Sequence, residues 1–321
     1  MGKKGLSDKD LQRIIKIDIK TLKRFKQIQQ ETIAEANLMT KRKNKKIMVL
    51  GVSGSARNIF DTAQEDSNSE TLLISCLEHC KKIRAETNLI KLRDYRIEYC
   101  RACYSTTNTQ CHFYCSCYPK GTPQEDDMTN ILYDKIIEAD AIIFGTPVNN
   151  FNISTLMKTF IDRCISLDGS LKPANPKTPK DIELNIKHMK FIELTADDDI
   201  PGSGMYKRFL GKVAGIIVTG HEAGASMAIS NLFMTLNHYG MLFPPFSNVY
   251  VMSSICNSTY KDKEIILADC YKDEIRLLAK NIMTATKLAI KQKCNDWKYD
   301  YKTSEIRIVN YEHNKAWDKK L

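Results

Sequence analysis

Three segments of this 321-residue chain predict a doubly wound α/β fold built on a parallel sheet. Lys46 to Ser53 (KIMVLGVS), Ala141 to Phe144 (AIIF) and Val213 to Thr219 (VAGIIVT) are apolar at nearly every position, the pattern of strands covered by helices on both faces. Each runs into a polar or glycine-rich stretch and then into sequence of helical period. In open α/β sheets that strand-to-loop edge is where ligands bind.

The first strand passes from Ser53 into Gly54-Ser55-Ala56-Arg57, then Ser67-Asn68-Ser69 and a helix expected from about Glu70 to Ala85. Hydroxyls, an arginine and the N–H groups of a helix start suit a phosphate, and a Ser/Gly-rich turn with a solvated arginine is the plainer alternative. The second strand is broken by Gly145, Thr146 and Pro147. Val148, Asn149, Asn150, Phe151 and Asn152 follow as a polar loop, with Ser154 as the expected N-cap of a helix to about Arg163. The third strand enters Gly220-His221-Glu222-Ala223-Gly224-Ala225 and a helical stretch to about His238. A strand near Asn248 to Met252 and one long helix from about Ile265 to Lys293 complete the expected core.

Cysteine forms the second constellation. Of eleven cysteines, five (Cys100, Cys103, Cys111, Cys115 and Cys117) fall within eighteen residues. The chain opens Met1-Gly2-Lys3-Lys4 and continues in charged, periodic sequence without an apolar signal core, so a reducing, cytoplasmic compartment without disulfides is expected. A tight group of thiols there points to a metal or an iron–sulfur centre. Cys76, Cys80, Cys164, Cys256, Cys270 and Cys294 are scattered and read as small buried hydrophobes.

In this order and spacing the motifs resemble the flavodoxin-like NADPH-dependent FMN reductase family, and within it the iron–sulfur flavoproteins, over roughly Lys46 to Lys293. The resemblance implies a flavodoxin-like doubly wound sheet of five parallel strands in the order 2-1-3-4-5, with FMN at its carboxyl edge. It places the FMN phosphate on Ser53, Gly54, Ser55, Arg57, Asn68 and Ser69. The flavin ring falls beside Thr146, Pro147, Val148, Asn149, Asn150 and Phe151. Asn149 stands where the family has an aromatic residue, and Phe151 is the nearest replacement. Gly220, His221 and Gly224 complete the ring's surroundings. His221 is a candidate proton donor or a loop histidine without catalytic duty, and no dedicated acid or base is named. Asp126-Asp127-Met128 is a family hallmark, and Lys158, Asp162 and Arg163 match its structural helix.

The resemblance also bears on the cysteines. Cys100 and Cys103 keep the branch's first pair, Thr106 replaces its third cysteine, and an insertion brings Cys111, Cys115 and Cys117. Four of the five could hold a [4Fe-4S] cluster, either Cys100, Cys103, Cys115 and Cys117 or a set using Cys111. A structural zinc, with His112 as an added ligand, and unligated thiols are the other readings. The implied activity is hydride transfer from NAD(P)H to FMN and onward to an acceptor, singly through the cluster where it exists. Two rivals stay open: an electron-transfer protein reduced by a ferredoxin-type donor without NAD(P)H, and a non-enzymatic binding module with a zinc-stapled loop. A homo-oligomer is expected by analogy.

The net charge of +10 does not indicate nucleic acid, because residues 1–45 hold 13 Lys/Arg against 5 Asp/Glu and leave only +2 for the remaining 276 residues. Leu11, Ile14, Ile15, Leu22, Phe25 and Ile28 recur at helical spacing, so one amphipathic helix from Leu11 to about Ala36 is expected. It packs on its own domain or a second subunit, or contacts an acidic partner or membrane surface. No apolar run approaches the length that spans a bilayer. The organisation read from sequence is a basic arm at 1–45, an FMN-binding domain at 46–294 with a cysteine loop at 100–117 and an insertion at 168–212, and a tail at 295–321. The insertion is expected to contain a short strand at Phe191 to Leu194, to carry Asp197-Asp198-Asp199 as a solvated turn, and to form a lid or subunit contact beside the flavin.

Overall fold

The computed structural model describes residues 6–40, 46–60, 62, 64–103, 111–121, 126–197, 199–220, 224–252 and 259–292. Its centre is a parallel sheet of β1 (Met48–Ser53), β2 (Glu86–Lys91), β3 (Ala141–Asn149), β5 (Val213–Gly220) and β6 (Asn248–Met252), in the order β2-β1-β3-β5-β6. This is the expected five-strand order. A sixth strand, β4 (Asn152–Ile153), is added antiparallel to the end of β3. It exists because Asn150 (φ 49°) and Phe151 (φ 64°) are both left-handed, the geometry of a two-residue hairpin turn. β2 was implied only by the strand order: it is a half-exposed edge strand with no continuous apolar run to mark it.

The helices, in chain order, are α1 (Asp8–Ile15), α2 (Ile19–Thr40), α3 (Asn68–Lys82), α4 (Tyr133–Glu138), α5 (Thr155–Arg163), α6 (Ile182–Thr195), α7 (Ala225–His238), α8 (Thr259–Ile266) and α9 (Asp269–Gln292). Alternate strand residues divide the core. Leu50, Ile142, Phe144 and Ile216 pack with α4, α5 and α7, whereas Val49, Ile143 and Ile217 pack with α3 and α9. Both sheet faces are covered, which is why the strands read as unbroken apolar runs.

Four expectations are corrected. The arm is two helices, because Lys16 adopts φ 56° as a left-handed cap to α1 and its N–H returns to the Gln12 carbonyl. Phe191 to Leu194 is not a strand but the end of α6, whose N-cap Asp181 accepts the Leu184 N–H. The long C-terminal helix is α8 and α9, divided near Leu267 and Ala268. The insertion at 168–212 is not a free lid but is packed on the arm: Leu171, Ala174, Phe191 and Ile192 form a satellite core with Leu11, Ile15, Leu22 and Phe25. Phe25 stacks on His188 with ring centroids 4.6 Å apart. Gly202, at φ 83°, lies under α2, where a Cβ would come within 2.5 Å of the Thr32 carbonyl oxygen. Buried Arg208 forks onto the Glu35 carboxylate of α2 at 2.7 and 3.0 Å while its guanidinium lies 3.9 Å from the Phe113 ring. The arm therefore braces the cysteine loop. Of the acidic triplet, Asp198 lies outside the described residues; so does the tail at 295–321. No described helix is long and apolar enough to cross a membrane.

Candidate functional site

β1 and β3 lie side by side at the point where the strand order reverses, with Ser53 opposite Gly145. The Gly54 N–H donates to the Gly145 carbonyl at 2.7 Å, which fixes the start of the Ser55 turn against β3. Ser154, the expected N-cap of α5, donates its hydroxyl to the Gly54 carbonyl at 2.6 Å and accepts the Met157 N–H at 3.2 Å. The turn after β1 and the loop after β3 are thus tied by one serine. Ser55 Oγ accepts the Arg57 N–H at 3.2 Å, and Arg57 itself is partly exposed at the mouth of the turn.

Across the turn stands the N-terminus of α3. Ser67 caps it, accepting the Glu70 N–H, and Ser69 Oγ pairs with Ser67 Oγ at 3.0 Å. Asn68 places a buried Oδ1 that has no hydrogen-bond partner among the described residues. Buried polar atoms are nearly always paired, and since amide O and N are assigned by network, this side chain can offer either an acceptor or a donor to a ligand. Serine hydroxyls, helix-start amides, a cation and an unpaired amide side chain make a donor-rich cradle for an anion.

Two expected contact residues are placed differently. Ser53 is fully buried and donates its hydroxyl to Glu70 at 2.8 Å, so it supports the turn from within. Glu70 also takes Arg93 at 2.6 and 3.0 Å and Lys91 at 2.8 Å. Burial works to raise this carboxyl, but the bonds from Arg93, Lys91 and Ser53 outweigh it and hold it down at about 2. Thr146 likewise turns inward, donating to the Pro147 carbonyl and accepting the Ser154 N–H. The Glu70–Arg93 pair carried no motif in the sequence; a buried acid in the first turn of α3 was its only trace.

The ring loop is the β3–β4 hairpin. Val148 is buried, whereas Asn149, Asn150 and Phe151 are exposed, Phe151 at 56%. The facing loop closes on it: a Cβ on Gly224 would lie 2.4 Å from the Phe151 backbone, and one on Gly220 would lie 2.8 Å from Val148 Cβ. Both glycines are required by close approach. His221 lies outside the described residues.

The five cysteines, Cys100, Cys103, Cys111, Cys115 and Cys117, line one hollow with Arg101, Tyr118, Arg163, Ile165 and Ser166. Nine cysteines are described, and none is in a disulfide. Cys103 has its thiol pKa lowered by a hydrogen bond from Cys117, which makes it the readiest thiolate. Burial pushes Cys111 up; Cys115 is raised by its bond with Cys117 and by burial, and Cys117 by its bond with Cys103. Among the described residues no three His, Cys, Asp or Glu side chains stand in metal-holding geometry. The zinc set with His112 is corrected: that ring is turned onto Ser116 Oγ at 2.7 Å, does not line the hollow, and is pushed by burial down to about 4. Cys76, Cys80 and Cys164 are buried as expected, Cys270 is exposed, and Cys256 and Cys294 lie outside the described residues.

The wall of the hollow hangs on one ion pair. Arg163, at the end of α5 and 1% exposed, grips Asp126 at 2.7 and 2.8 Å, the Glu98 carbonyl at 2.7 Å and Thr129 at 3.1 Å. Asp126 in turn accepts the Glu98 and Thr129 amides, and Asp127 accepts the Arg96 amide. The Asp-Asp-Met segment is thus the clasp that holds the entry to the cysteine loop against α5. Lys158 and Asp162 form a surface pair at 2.6 Å.

Residues 47–178 match the family described as NADPH-dependent FMN reductase. An iron–sulfur flavoprotein of Archaeoglobus fulgidus is 34% identical over 96 residues, covering 30% of this chain and 42% of that protein. One of Methanocaldococcus jannaschii is 29% identical over 129 residues, covering 40% of this chain and 54% of that protein. The chain spans about half the length of the curated relatives it matches. Among solved structures, RosB with a bound 8-demethyl-8-formylriboflavin-5'-phosphate intermediate superposes with a TM-score of 0.52 at 15% identity, covering 84% of this chain and 87% of that one, a likeness of fold. Over this segment the chain is similar to the NADPH-dependent FMN reductase family and to iron–sulfur flavoproteins.

Proposed function

We propose that this protein is an FMN-dependent oxidoreductase that holds the FMN phosphate at the Ser55–Arg57 turn and α3 start, and the ring against the Pro147–Phe151 hairpin. A [4Fe-4S] cluster in the cysteine hollow is its second redox centre. The observation that carries the reading is the joining of the turn and the hairpin through Ser154 at the strand-order reversal, within the matched family segment.

Bound there, the flavin supplies the redox chemistry, accepting a hydride from NAD(P)H and releasing electrons one at a time. The chain's own residues bind and orient. Arg57 and the α3 N-terminus neutralise the phosphate; Asn149, Asn150 and the closely packed Gly220 and Gly224 backbones shape the ring's edge and offer amide groups to it. From Pro147 to Phe151 there is no titratable side chain, so the hairpin contributes shape and hydrogen bonding, and His221 and Glu222 are the titratable residues of the facing loop. In the hollow, five soft ligands exceed the four a cluster needs, and Arg163 and Arg101 offset the charge that their ionisation creates. NAD(P)H is the expected donor and a ferredoxin-type protein the alternative, with a homo-oligomer as the expected assembly.

The test is an anaerobic visible spectrum of the full chain with iron, zinc and acid-labile sulfide analysis, followed by addition of NAD(P)H. Flavin bands with iron and sulfide are expected, bleached by the nicotinamide; bleaching only by a reduced ferredoxin moves the reading to the electron-transfer protein. Failure to take up FMN on reconstitution overturns it. Arg57→Ala should weaken FMN retention roughly tenfold or more with the fold intact, as expected for loss of a charge-assisted hydrogen bond.

A further inference from the structure

Arg163 has more to do than hold Asp126. A guanidinium carries five N–H donors. Four have acceptors here: Nη1 donates to the Glu98 carbonyl and Asp126 Oδ1, and Nη2 to Asp126 Oδ2 and Thr129 Oγ1. The Tyr118 ring lies 4.4 Å from the guanidinium carbon. The fifth donor, Nε–H, is buried and has no hydrogen-bond partner among the described residues, cysteine sulfurs included. Leaving a charged donor buried and unpaired costs about 1–3 kcal/mol or more, so such a group is normally aimed at something. Arg163 lines the same hollow as the five cysteines.

We propose that Arg163 donates Nε–H to a sulfur of the iron–sulfur centre in the cysteine hollow, and so raises the reduction potential of that centre. The inference rests on the cluster reading of the hollow given above. Hydrogen bonds to cluster and ligand sulfurs, and nearby positive charge, stabilise the reduced, more negative state. Arg163 is suited to this role because its four other donors lock it: the group cannot swing away on reduction, and its charge cannot be lost. It is a positioning and tuning residue, with no part in exchanging protons or electrons.

The experiment uses the full chain purified anaerobically with its cluster. Wild-type protein carrying 15N-labelled arginine is reduced by one electron, and the paramagnetic cluster is examined for hyperfine coupling to an arginine nitrogen. The same measurement on Arg101→Lys, which removes the other arginine of the hollow, should leave the coupling in place. In Arg163→Lys the coupling should vanish, and the one-electron reduction equilibrium of the assembled clusters should shift at least tenfold toward the oxidised form, about 59 mV. A structural role alone would lower iron content or stability without moving the potential of the clusters that remain. Where Arg163→Lys does not assemble, the labelled wild type decides. Iron and sulfide present with no arginine coupling, or with an unchanged potential in Arg163→Lys, overturns this inference and leaves the cluster standing. Wild-type protein without iron and sulfide overturns both.

Discussion

The Ser55 turn and the cysteine hollow sit at opposite ends of α5, a helix of nine residues and so about 13 Å long, and they are held by different means. At the N-terminal end, strand pairing places Ser53 opposite Gly145 and a capping serine closes the joint, so the site is fixed largely by backbone. At the C-terminal end, described residues 95–103 and 111–121 contain no strand and no helix longer than a turn, and the loop is held by the Arg163–Asp126 clasp and by Arg208 against Phe113. Strand pairing thus sets the frame of one site, with Ser154 closing it, and the other hangs on a few buried charges.

Asp126 carries the largest expected effect. Asp126→Ala leaves the Arg163 cation buried without its partner, and loss of one member of a buried pair costs about 3–5 kcal/mol. Urea unfolding should show that loss, together with faster thiol labelling at Cys111, Cys115 and Cys117, while FMN uptake by the folded fraction stays near wild type. An unchanged midpoint would mean the clasp is not what holds the loop. The sheet-edge site has its own weak point in Gly224→Ala, whose Cβ would meet the Phe151 backbone at 2.4 Å. Displacing that hairpin should cost about 1–3 kcal/mol and weaken flavin retention without altering iron content. Retention equal to wild type would show that the two loops need not approach.

Glu70 is a buried acid inside the strand-framed site. Its carboxyl is held near 2 in the folded chain against an ordinary value of 4.5, so its contribution is complete above pH 4.5 and is lost as pH falls toward 2. Glu70→Gln should cost about 2 kcal/mol at neutral pH, by weakening hydrogen bonds from charged groups. The gap from wild type should close as the pH is lowered through that window; a gap independent of pH would remove Glu70's charge from the account.

What the sequence revealed follows the same division. β1, β3 and β5 were legible because a sheet covered on both faces needs unbroken apolar runs, and Ser154 was legible as a cap. β2, half exposed, left no such signature. The arm's apolar period marks helix, but the break at Lys16 is silent in the sequence, since a left-handed lysine leaves no compositional mark. Phe191 to Leu194 carry an apolar run short enough to fit either period, and the cap at Asp181 and packing on Phe25 decided for helix. The cysteines announced themselves by density. The convergence of all five on one hollow depends on residues far along the chain, such as Arg163 and Ser166, which no local pattern encodes, whereas His112 is turned aside by Ser116 only four residues on.

Phe151 offers the smallest effect and the finest distinction between the two ends. A phenylalanine at φ 64° costs about 1 kcal/mol or more in left-handed strain, and this one is 56% exposed. Phe151→Asn keeps the hairpin, since asparagine tolerates this conformation, and should leave the apo chain equally stable or up to about 1 kcal/mol more stable. On the proposal that Phe151 lines the flavin ring, FMN should nonetheless be retained less well, through loss of that aromatic surface. Thermal unfolding with and without FMN separates the two effects. Greater apo stability with a smaller FMN-induced rise in Tm would identify Phe151 as strain kept for the ligand. A drop in apo stability with unchanged FMN binding would instead place the ring in the architecture of the hairpin, and the aromatic wall of the flavin would then have to come from elsewhere.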